Sequence, residues 1–265
     1  MTEAEYRKHP AVSRSELWRI SESPQKFKYR KEHPDEEAPS LLFGRAFHKM
    51  ALEPDGFLDE YAIAPDVDRR TKEGKQKWQD FMDEAKTKTV LPEEMYLHAK
   101  EMCASLRSVP LAQKLLNGPK ETPFFWVDDI TGEACKCRTD CLNTQYSRPI
   151  IVDVKSTTDA STEAFMRDAV KFGYDFQSAM YSEGVSKHIQ QTPLFVFIAV
   201  EKYPPYAVNI LQADELFLRR GQNIFRELLG IYHECKVSGN WYGYLGKNSQ
   251  INTLALPAWA AKDLL

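Results

Sequence analysis

The chain lacks a long apolar run, a disulfide-forming set of cysteines and an excess of positive charge. No apolar run approaches the roughly 20 residues that a helix needs to span a bilayer. Residues 1–8 are polar and charged, and they do not contain the apolar core of a signal peptide. We therefore expect a protein that does not cross a membrane and that resides in the cytoplasm.

Five cysteines, an odd number, do not form a disulfide framework in a chain of 265 residues. Three of them are crowded at Cys135, Cys137 and Cys141. A structural zinc site is one alternative, but no histidine or fourth cysteine lies nearby in sequence to complete its ligands. We therefore expect reduced thiols.

The net charge of −3 argues weakly against a nucleic-acid-binding protein, because most such domains are basic overall. An enzyme that encloses DNA in a channel, however, needs positive charge only along that channel. Acidic metal ligands also make the net charge of such an enzyme more negative. The net charge therefore does not exclude a DNA-binding enzyme.

A hydrophobic content of 43% with 12% aromatic residues is sufficient for a sizeable core. The sequence shows no internal repeat, no low-complexity tract and no interdomain linker. We therefore expect a single domain over residues 1–265. It would comprise a mainly helical part (1–115), a core (116–240) and an aromatic tail (241–265) that packs against the body or another subunit.

Helix signals dominate the first 115 residues, whereas strand signals begin near residue 121. The candidate helix caps are Ser13 with Glu16 three positions on, Ser40, Thr71 and Pro92. Three strand-like runs divided by turn signals predict an antiparallel meander over 124–127, 135–142 and 150–154. Helices over 161–172, 175–188 and 213–237 and a hairpin over 194–201 and 206–211 should follow. The pattern predicts a sheet flanked by helices.

Two acids and a lysine stand out in the strand region, namely Asp140, Asp153 and Lys155. Residues two apart on a strand point to the same face, so Asp153 and Lys155 should project together, and the preceding strand should bring Asp140 alongside. Converging carboxylates repel each other unless cations lie between them, and oxygen donors of this kind suit Mg²⁺ or Mn²⁺. We expect a divalent metal site here, although a D-x-K pattern alone also occurs on solvated strands.

Four more polar residues fit the same site. His48 lies in an apolar helical run, and Gly44 one turn before it leaves room for a close approach. Gln177 and Tyr181 are four apart on a predicted helix, where an amide and a phenol can bind a phosphate oxygen. Glu121, just before the first strand, can supply another acid. The alternatives are an ordinary core histidine, an ordinary amphipathic helix and a solvated loop glutamate.

Four ordered motifs resemble those of the RecB-like branch of the PD-(D/E)XK nucleases, and most closely those of RecE-type exonucleases. The motifs are LFGRAFH at 42–48, CRTD at 137–140, VDVK at 152–155 and QSAMY at 177–181. The similarity runs from residues 12–13 through 69–71 to 254–260, so it covers nearly the whole chain. Thr139 stands where the family name has proline, but that residue is not a ligand.

The resemblance implies an α/β (α+β) fold with a restriction-endonuclease-like core. A central mixed β-sheet would be flanked by helices and preceded by a helical N-terminal region. The resemblance also implies roles for residues. The implied metal ligands are Asp140, Asp153, His48 and the backbone carbonyl of Val154, and the implied catalytic lysine is Lys155. Gln177 and Tyr181 match the family's Q-x-x-x-Y pair.

The resemblance further implies the reaction and its partners. Relatives of this type are bacterial or phage-encoded and digest one strand of duplex DNA from its 5′ end. The digestion leaves a 3′ single strand for an annealing protein of the RecT type. Mg²⁺, with Mn²⁺ as a substitute and two ions per site, would be the cofactor. Such enzymes also tend to form homo-oligomeric rings.

A basic loop is the candidate for contacts with DNA phosphates, which position a duplex without reading its sequence. It contains Arg69, Arg70 and Lys72, with Lys75 and Lys77 behind them. For the last two lysines a solvated basic face is an equally good interpretation.

Three alternatives to this interpretation remain. One keeps the site but assigns it to a Cas4-like or restriction-type nuclease, and the Cas4-like version usually carries an iron–sulfur cluster on four cysteines. The cysteine spacing here does not match such a cluster. The others are a DNA-binding module without catalysis and the zinc protein considered above. The DNA-binding module is unattractive because every expected catalytic residue is present.

Overall fold

The computed structural model describes residues 1, 3–33 and 39–256. In this part of the chain the helices are α1 (Glu3–Lys8), α2 (Arg14–Ile20), α3 (Pro24–Glu32), α4 (Pro39–Leu52), α5 (Phe57–Glu60), α6 (Lys72–Ala85), α7 (Glu93–Ser108), α8 (Pro110–Leu115), α9 (Thr162–Lys171), α10 (Tyr174–Ile189) and α11 (Glu215–Ser238). The strands are β1 (Val12–Ser13), β2 (Tyr61–Ala64), β3 (Thr89–Pro92), β4 (Lys120–Val127), β5 (Ala134–Asn143), β6 (Ile150–Thr157), β7 (Leu194–Glu201) and β8 (Val208–Gln212). None of these helices has the length and apolar composition of a membrane span.

The main sheet is mixed and has the order β1-β5-β6-β7-β8, with β4 also paired to β5. The predicted meander is confirmed, because β4 is antiparallel to β5 and β5 is antiparallel to β6. The predicted hairpin of β7 and β8 is confirmed as well. β6 and β7 are parallel and are joined by the crossover that contains α9 and α10. The fold is therefore the predicted mixed sheet flanked by helices.

The two faces of the sheet bury separate hydrophobic clusters. Alternate residues of β6 and β7 point to opposite faces, as the period of two requires. Ile151 joins the cluster that contains α10 and α11, whereas Val152 and Val154 join the one that contains α4 and α7. Asp153 and Lys155 therefore project on the α10 side, as predicted.

The N-terminal part contains strands that the sequence did not predict. β1 pairs in parallel with the start of β5. β2 and β3 form a small parallel sheet of their own. The helices α1 to α8 surround these strands, so residues 1–115 are mainly but not wholly helical.

Two of the predicted helix caps have the expected geometry. Ser13 and Glu16 form a capping box at the start of α2. The Thr71 side chain accepts a hydrogen bond from the Gly74 N–H at the start of α6. Pro92 precedes α7 without a side-chain cap bond. The side chain of Ser40 lies outside the described residues.

The tail begins against the body of the protein. The Trp241 ring stacks on Phe27 with centroids 5.3 Å apart, and the Gln25 N–H donates to the Tyr242 carbonyl at 3.1 Å. Farther along, Ile251 is exposed. Residues 257–265, which include part of the similarity noted above, lie outside the described residues.

Candidate active site

Asp140 and Asp153 lie where β5 and β6 separate. The antiparallel ladder ends at the pair Cys141 and Val152, and the next residue on each strand is one of the two aspartates. The Asp140 carboxylate accepts a hydrogen bond from the Val154 N–H at 2.8 Å. This bond satisfies a backbone donor beyond the end of the ladder. It also links the Asp140 side chain to the strand that carries Asp153.

His48 and Glu121 converge on Asp140 from two other elements. His48 lies on α4, and its Nδ1 is 3.5 Å from Oδ2 of Asp140. Glu121 lies on β4, at the position opposite Asp140 in the pairing of β4 with β5. One ligand atom from each of these three residues lies within 4.8 Å of the other two. A single cation can contact all three at that spacing.

Glu121 has an unusual backbone and an ion pair of its own. The sequence placed it just before the first strand, but the structure places it within β4. Its φ is +47°, a left-handed conformation that is uncommon for a residue other than glycine. Oε2 lies 2.7 Å from Nε of Arg138. Backbone outliers of this kind cluster at functional sites, which supports a role for this glutamate.

Asp153, Lys155 and Gln177 form the other half of the site. Asp153 is 2% exposed, and its Oδ1 accepts a hydrogen bond from the Gln177 amide at 2.5 Å. Its Oδ2 forms an ion pair with the Lys155 ammonium. Beyond that ion pair, Oδ2 receives no hydrogen bond from the described residues. Both carboxylate oxygens are thus held, one by Gln177 and the other by Lys155.

The electrostatics of the site disfavour a second negative charge. Burial, and then the charge of Asp153, raise the pKa of Asp140, although His48 and Lys155 act in the opposite direction. Burial acts to lower the pKa of Lys155, but Asp153 and Asp140 outweigh it, and that pKa is raised. Desolvation alone would favour a neutral Lys155, but the two carboxylates beside the amine favour its charged form in the protein alone.

Tyr181 and Val154 lie close to the same carboxylates. Tyr181 follows Gln177 by one turn of α10, and burial raises its pKa well above the usual value, with smaller contributions from the nearby Asp153 and Asp140. Val154 contributes its N–H to the site through the bond to Asp140. A ligand role for the Val154 carbonyl stays a prediction.

The donor set fits a hard divalent cation. Carboxylate oxygens predominate, with one imidazole nitrogen, and Mg²⁺ and Mn²⁺ prefer oxygen ligands. Burial, and then the charge of Asp153, raise the pKa of Asp140, and a divalent cation between the two carboxylates would relieve that repulsion. In the part of the chain that the structure describes, no second group of three His, Cys, Asp or Glu ligands converges in this way.

The cysteines do not support the zinc and iron–sulfur alternatives. Cys135, Cys137 and Cys141 are free and buried. Burial raises the pKa of all three thiols, that of Cys135 to about 12, and so opposes the thiolate form that binds metals.

The basic loop lies between β2 and α6 and on the first turns of α6. Arg69, Arg70, Lys72 and Lys75 are exposed there. The Arg69 guanidinium stacks on the Trp78 ring at 4.3 Å from its centroid. Among the described residues, no contact links this loop to Asp140 or Asp153. Its role in binding DNA stays a prediction.

Sequence reasoning missed Tyr174 and Arg14. Lys155 Nζ lies 4.9 Å from the centroid of the Tyr174 ring. The Arg14 guanidinium donates to the carbonyl oxygens of Phe172 and Gly173, just before that tyrosine. Tyr174 precedes Gln177 by three residues, a spacing that places both on one helix face. That spacing was a usable signal, whereas Arg14 had none.

Comparison with known proteins agrees with this geometry. A family model described as a PDDEXK-like domain of unknown function (DUF3799) matches residues 13–252. No curated protein sequence matches the chain.

The chain matches solved structures to different degrees. One is a protein from Eubacterium rectale described as "Putative exonuclease", with a TM-score of 0.67 and 15% identity over 98% of this chain and 97% of that one. At that identity the likeness shows the fold alone. The other, SSO0001, has a TM-score of 0.35 and 13% identity over 71% of this chain and 85% of that one. That score is too low to support a conclusion.

Proposed function

The chain belongs to the PDDEXK-like family, whose model matches residues 13–252, and on that premise we propose that it is a Mg²⁺-dependent exonuclease acting on double-stranded DNA. The observation that carries the proposal is the meeting of Asp140, Asp153 and Lys155 at the fork between β5 and β6. Their order along the chain is that of the PD-(D/E)XK pattern. The nuclease class follows from the family, and the exonuclease specificity is the proposal.

The proposed metal ligands surround Asp140. Asp140 and Asp153 would hold divalent cations, and His48, Glu121 and the Val154 carbonyl would complete the ligand set. Divalent cations held by these residues would supply Lewis-acid stabilisation of the phosphodiester oxygens during hydrolysis. The predominance of oxygen donors favours Mg²⁺, with Mn²⁺ as a substitute.

Lys155 would orient or deprotonate the attacking water. Its ammonium contacts Asp153, so it lies within reach of a nucleophile bound beside that carboxylate. Cations on Asp140 and Asp153 would offset the negative charges that now raise the pKa of Lys155. Arginine could not serve as a base, because its guanidinium stays protonated.

Gln177 and Tyr181 would orient the acids and the substrate. The Gln177 amide fixes one oxygen of Asp153 and leaves the other directed at Lys155. Tyr181 lies one turn farther along α10, and its raised pKa keeps the phenol protonated and able to donate to a phosphate oxygen.

The polarity and the partners rest on similarity. RecE-type exonucleases, which the motifs resemble, digest the 5′-ended strand, and the Eubacterium rectale protein is described as an exonuclease. We accordingly propose 5′ to 3′ digestion of duplex ends, a RecT-type annealing partner, a homo-oligomeric ring and a cytoplasmic location in a bacterium or a phage-infected cell. The five buried free thiols suit such a reducing compartment.

The test uses linear duplex DNA labelled at one 5′ end or one 3′ end, with covalently closed circular DNA as the control. With Mg²⁺ we expect mononucleotide release from the 5′-labelled end of linear DNA and no attack on circles. EDTA should abolish the release. Cleavage of circles would indicate an endonuclease, and undiminished cleavage in EDTA would refute the metal site.

Two variants assign the activity to this site. Lys155→Ala should retain the fold and lose at least about 1,000-fold in kcat, as expected for a group that acts on the nucleophile. Lys187→Ala is the matched control, because Lys187 pairs with Asp129 on another surface. Activity of purified Lys155→Ala equal to that of Lys187→Ala would exclude the proposed role.

A further inference from the structure

The Tyr174 ring lies against the Lys155 ammonium. Nζ is 4.9 Å from the ring centroid, within the range of a cation–π contact. Lys155 is thus contacted from two sides, by the Asp153 carboxylate and by an aromatic ring.

The surrounding structure fixes the Tyr174 ring firmly. Tyr174 packs against the buried Phe165 and Phe197 at centroid distances of 5.8 and 5.9 Å. The preceding Gly173 has a φ of +65°, and a Cβ there would lie 2.5 Å from the Trp18 ring. Only glycine fits that turn without displacing Trp18. The ring is therefore partly buried and packs against the core, which restricts its rotation.

The Lys155 side chain, by contrast, needs an external support. A lysine has a flexible stem of four carbons and loses substantial conformational entropy when it is held in one place. Its carboxylate partner, Asp153, is also a proposed metal ligand. When Asp153 contacts a cation, its attraction for the ammonium decreases, whereas the Tyr174 face remains in place.

We propose that Tyr174 is a positioning residue that holds the Lys155 side chain in its working place beside Asp153. The inference rests on the proposed nuclease function. The aromatic face carries out the positioning, through its quadrupole and its packing against the core. The phenol hydroxyl is not required.

The variants separate the ring from the hydroxyl and from packing in general. Tyr174→Phe keeps the ring, whereas Tyr174→Met and Tyr174→Leu replace it with apolar side chains of adequate size. Tyr244→Leu is the matched control, because this exposed tyrosine ring lies 5.2 Å from the ammonium of Lys26 instead of that of Lys155. The melting temperature is recorded for each variant, and Lys155→Ala provides the reference for complete loss of the lysine function.

The first measurement is kcat and KM on linear duplex DNA. We expect Tyr174→Phe to stay within about three-fold of the parent kcat, and Tyr174→Met and Tyr174→Leu to fall by about ten-fold or more, the scale of a desolvated cation–π contact. KM should change little, since the ring acts through Lys155. Equal losses in the Phe and Met variants would move the role to the hydroxyl and overturn the proposal.

The second measurement needs no catalysis. In metal-free protein, reductive methylation of Lys155 by formaldehyde and borohydride is followed by peptide mass spectrometry. Loss of the ring should raise the methylation rate of Lys155 several-fold in the Tyr174→Met and Tyr174→Leu variants, but not in Tyr174→Phe or the Tyr244→Leu control. A variant that does not fold is replaced by the other apolar variant in both measurements.

The two proposals fail in different ways. If the parent does not cleave DNA, the proposed function fails, and the methylation rates still report on the ring. If the parent cleaves, Lys155→Ala does not, and Tyr174→Met matches the parent in kcat and methylation rate, then the inference about Tyr174 alone is wrong.

Discussion

Asp140 has two effects on the folded chain that oppose each other. Its carboxylate accepts the Val154 N–H and so contributes to the junction of β5 and β6. It is also buried beside a second carboxylate, and both conditions raise its pKa. A divalent cation between the two acids would remove the repulsion. Without a cation, the repulsion between the two carboxylates destabilises the folded protein, as charged groups at functional sites often do.

Asp140→Asn should therefore stabilise the metal-free protein at neutral pH. The raised pKa means that the contribution of Asp140 to stability is fully present below the unfolded value, about 3.9, and is lost as pH rises through the folded value. Asparagine carries no charge and can still accept the Val154 N–H. In EDTA at pH 7.5 we expect a gain on the order of 1 kcal/mol in unfolding free energy, measured by urea denaturation.

The same variant should respond differently to acid and to Mg²⁺. The gain should shrink toward pH 4, where Asp140 of the parent becomes protonated. Mg²⁺ should raise the melting temperature of the parent more than that of Asp140→Asn, because only the parent has the full ligand set. Asp66→Asn, at an exposed position, is the control. A less stable Asp140→Asn in EDTA at pH 7.5 would contradict the electrostatic argument.

Part of the site was predictable because strand geometry is regular. Asp153 and Lys155 share a face through the period of two, and the antiparallel neighbour brings Asp140 to them. Glu121 was misplaced, because its positive φ and its place within β4 depend on the neighbouring chain. The contact of Tyr174 with Lys155 crosses from a helix to the sheet, and sequence spacing alone does not report such contacts.

At the scale of elements, α10 carries the residues that reach the sheet, and α11 sets its position. A Cβ at Gly221 of α11 would lie 1.9 Å from the carbonyl oxygen of Asp175, in the first turn of α10. The two helices therefore approach each other as closely as their backbones allow. Tyr174 and Gln177 lie in that same turn of α10, so this contact determines how they face Asp153 and Lys155.

Gly221→Ala should destabilise the protein by about 2–3 kcal/mol, because the added methyl group forces the helices apart. Gly230→Ala is a matched control in α11, since a Cβ there has no atom within 4 Å. That change should be neutral or should stabilise the helix by up to about 1 kcal/mol. Urea unfolding at pH 7.5 measures both. Equal effects of the two substitutions would show that the close approach does not restrict residue 221.

Elements were predictable where local signals were long. The helix at 175–188 and the three-stranded meander appear within a few residues of their predicted bounds. β1 has only two residues, and its pairing with β5 supplies its stability, so no local pattern identified it. The parallel pairing of β2 with β3 likewise joins segments that lie 25 residues or more apart.

At the scale of the whole molecule, acidic and basic side chains gather at different places along the chain. The net charge is −3, and carboxylates concentrate at the fork of β5 and β6. The exposed cations of the basic loop lie at another place in the chain, where Arg69 stacks on Trp78. The stacking orders the guanidinium in advance, so binding a phosphate there would cost less side-chain entropy. DNA could then be held by one surface and cut at another.

Arg69→Ala and Arg70→Ala should each weaken DNA binding and flatten its salt dependence. Removing the cation that neutralises one phosphate reduces the slope of log K against log salt concentration by about 0.9. The measurement is fluorescence anisotropy with a short duplex, in a Lys155→Ala background that prevents cleavage. Arg69→Lys should keep the slope but bind more weakly, because a lysine does not reproduce the planar stacking on Trp78. Lys77→Ala is the control, since Lys77 already pairs with Glu73 at 2.7 Å. If both arginine variants show the same salt slope as Lys77→Ala, the loop does not belong to the DNA-binding surface.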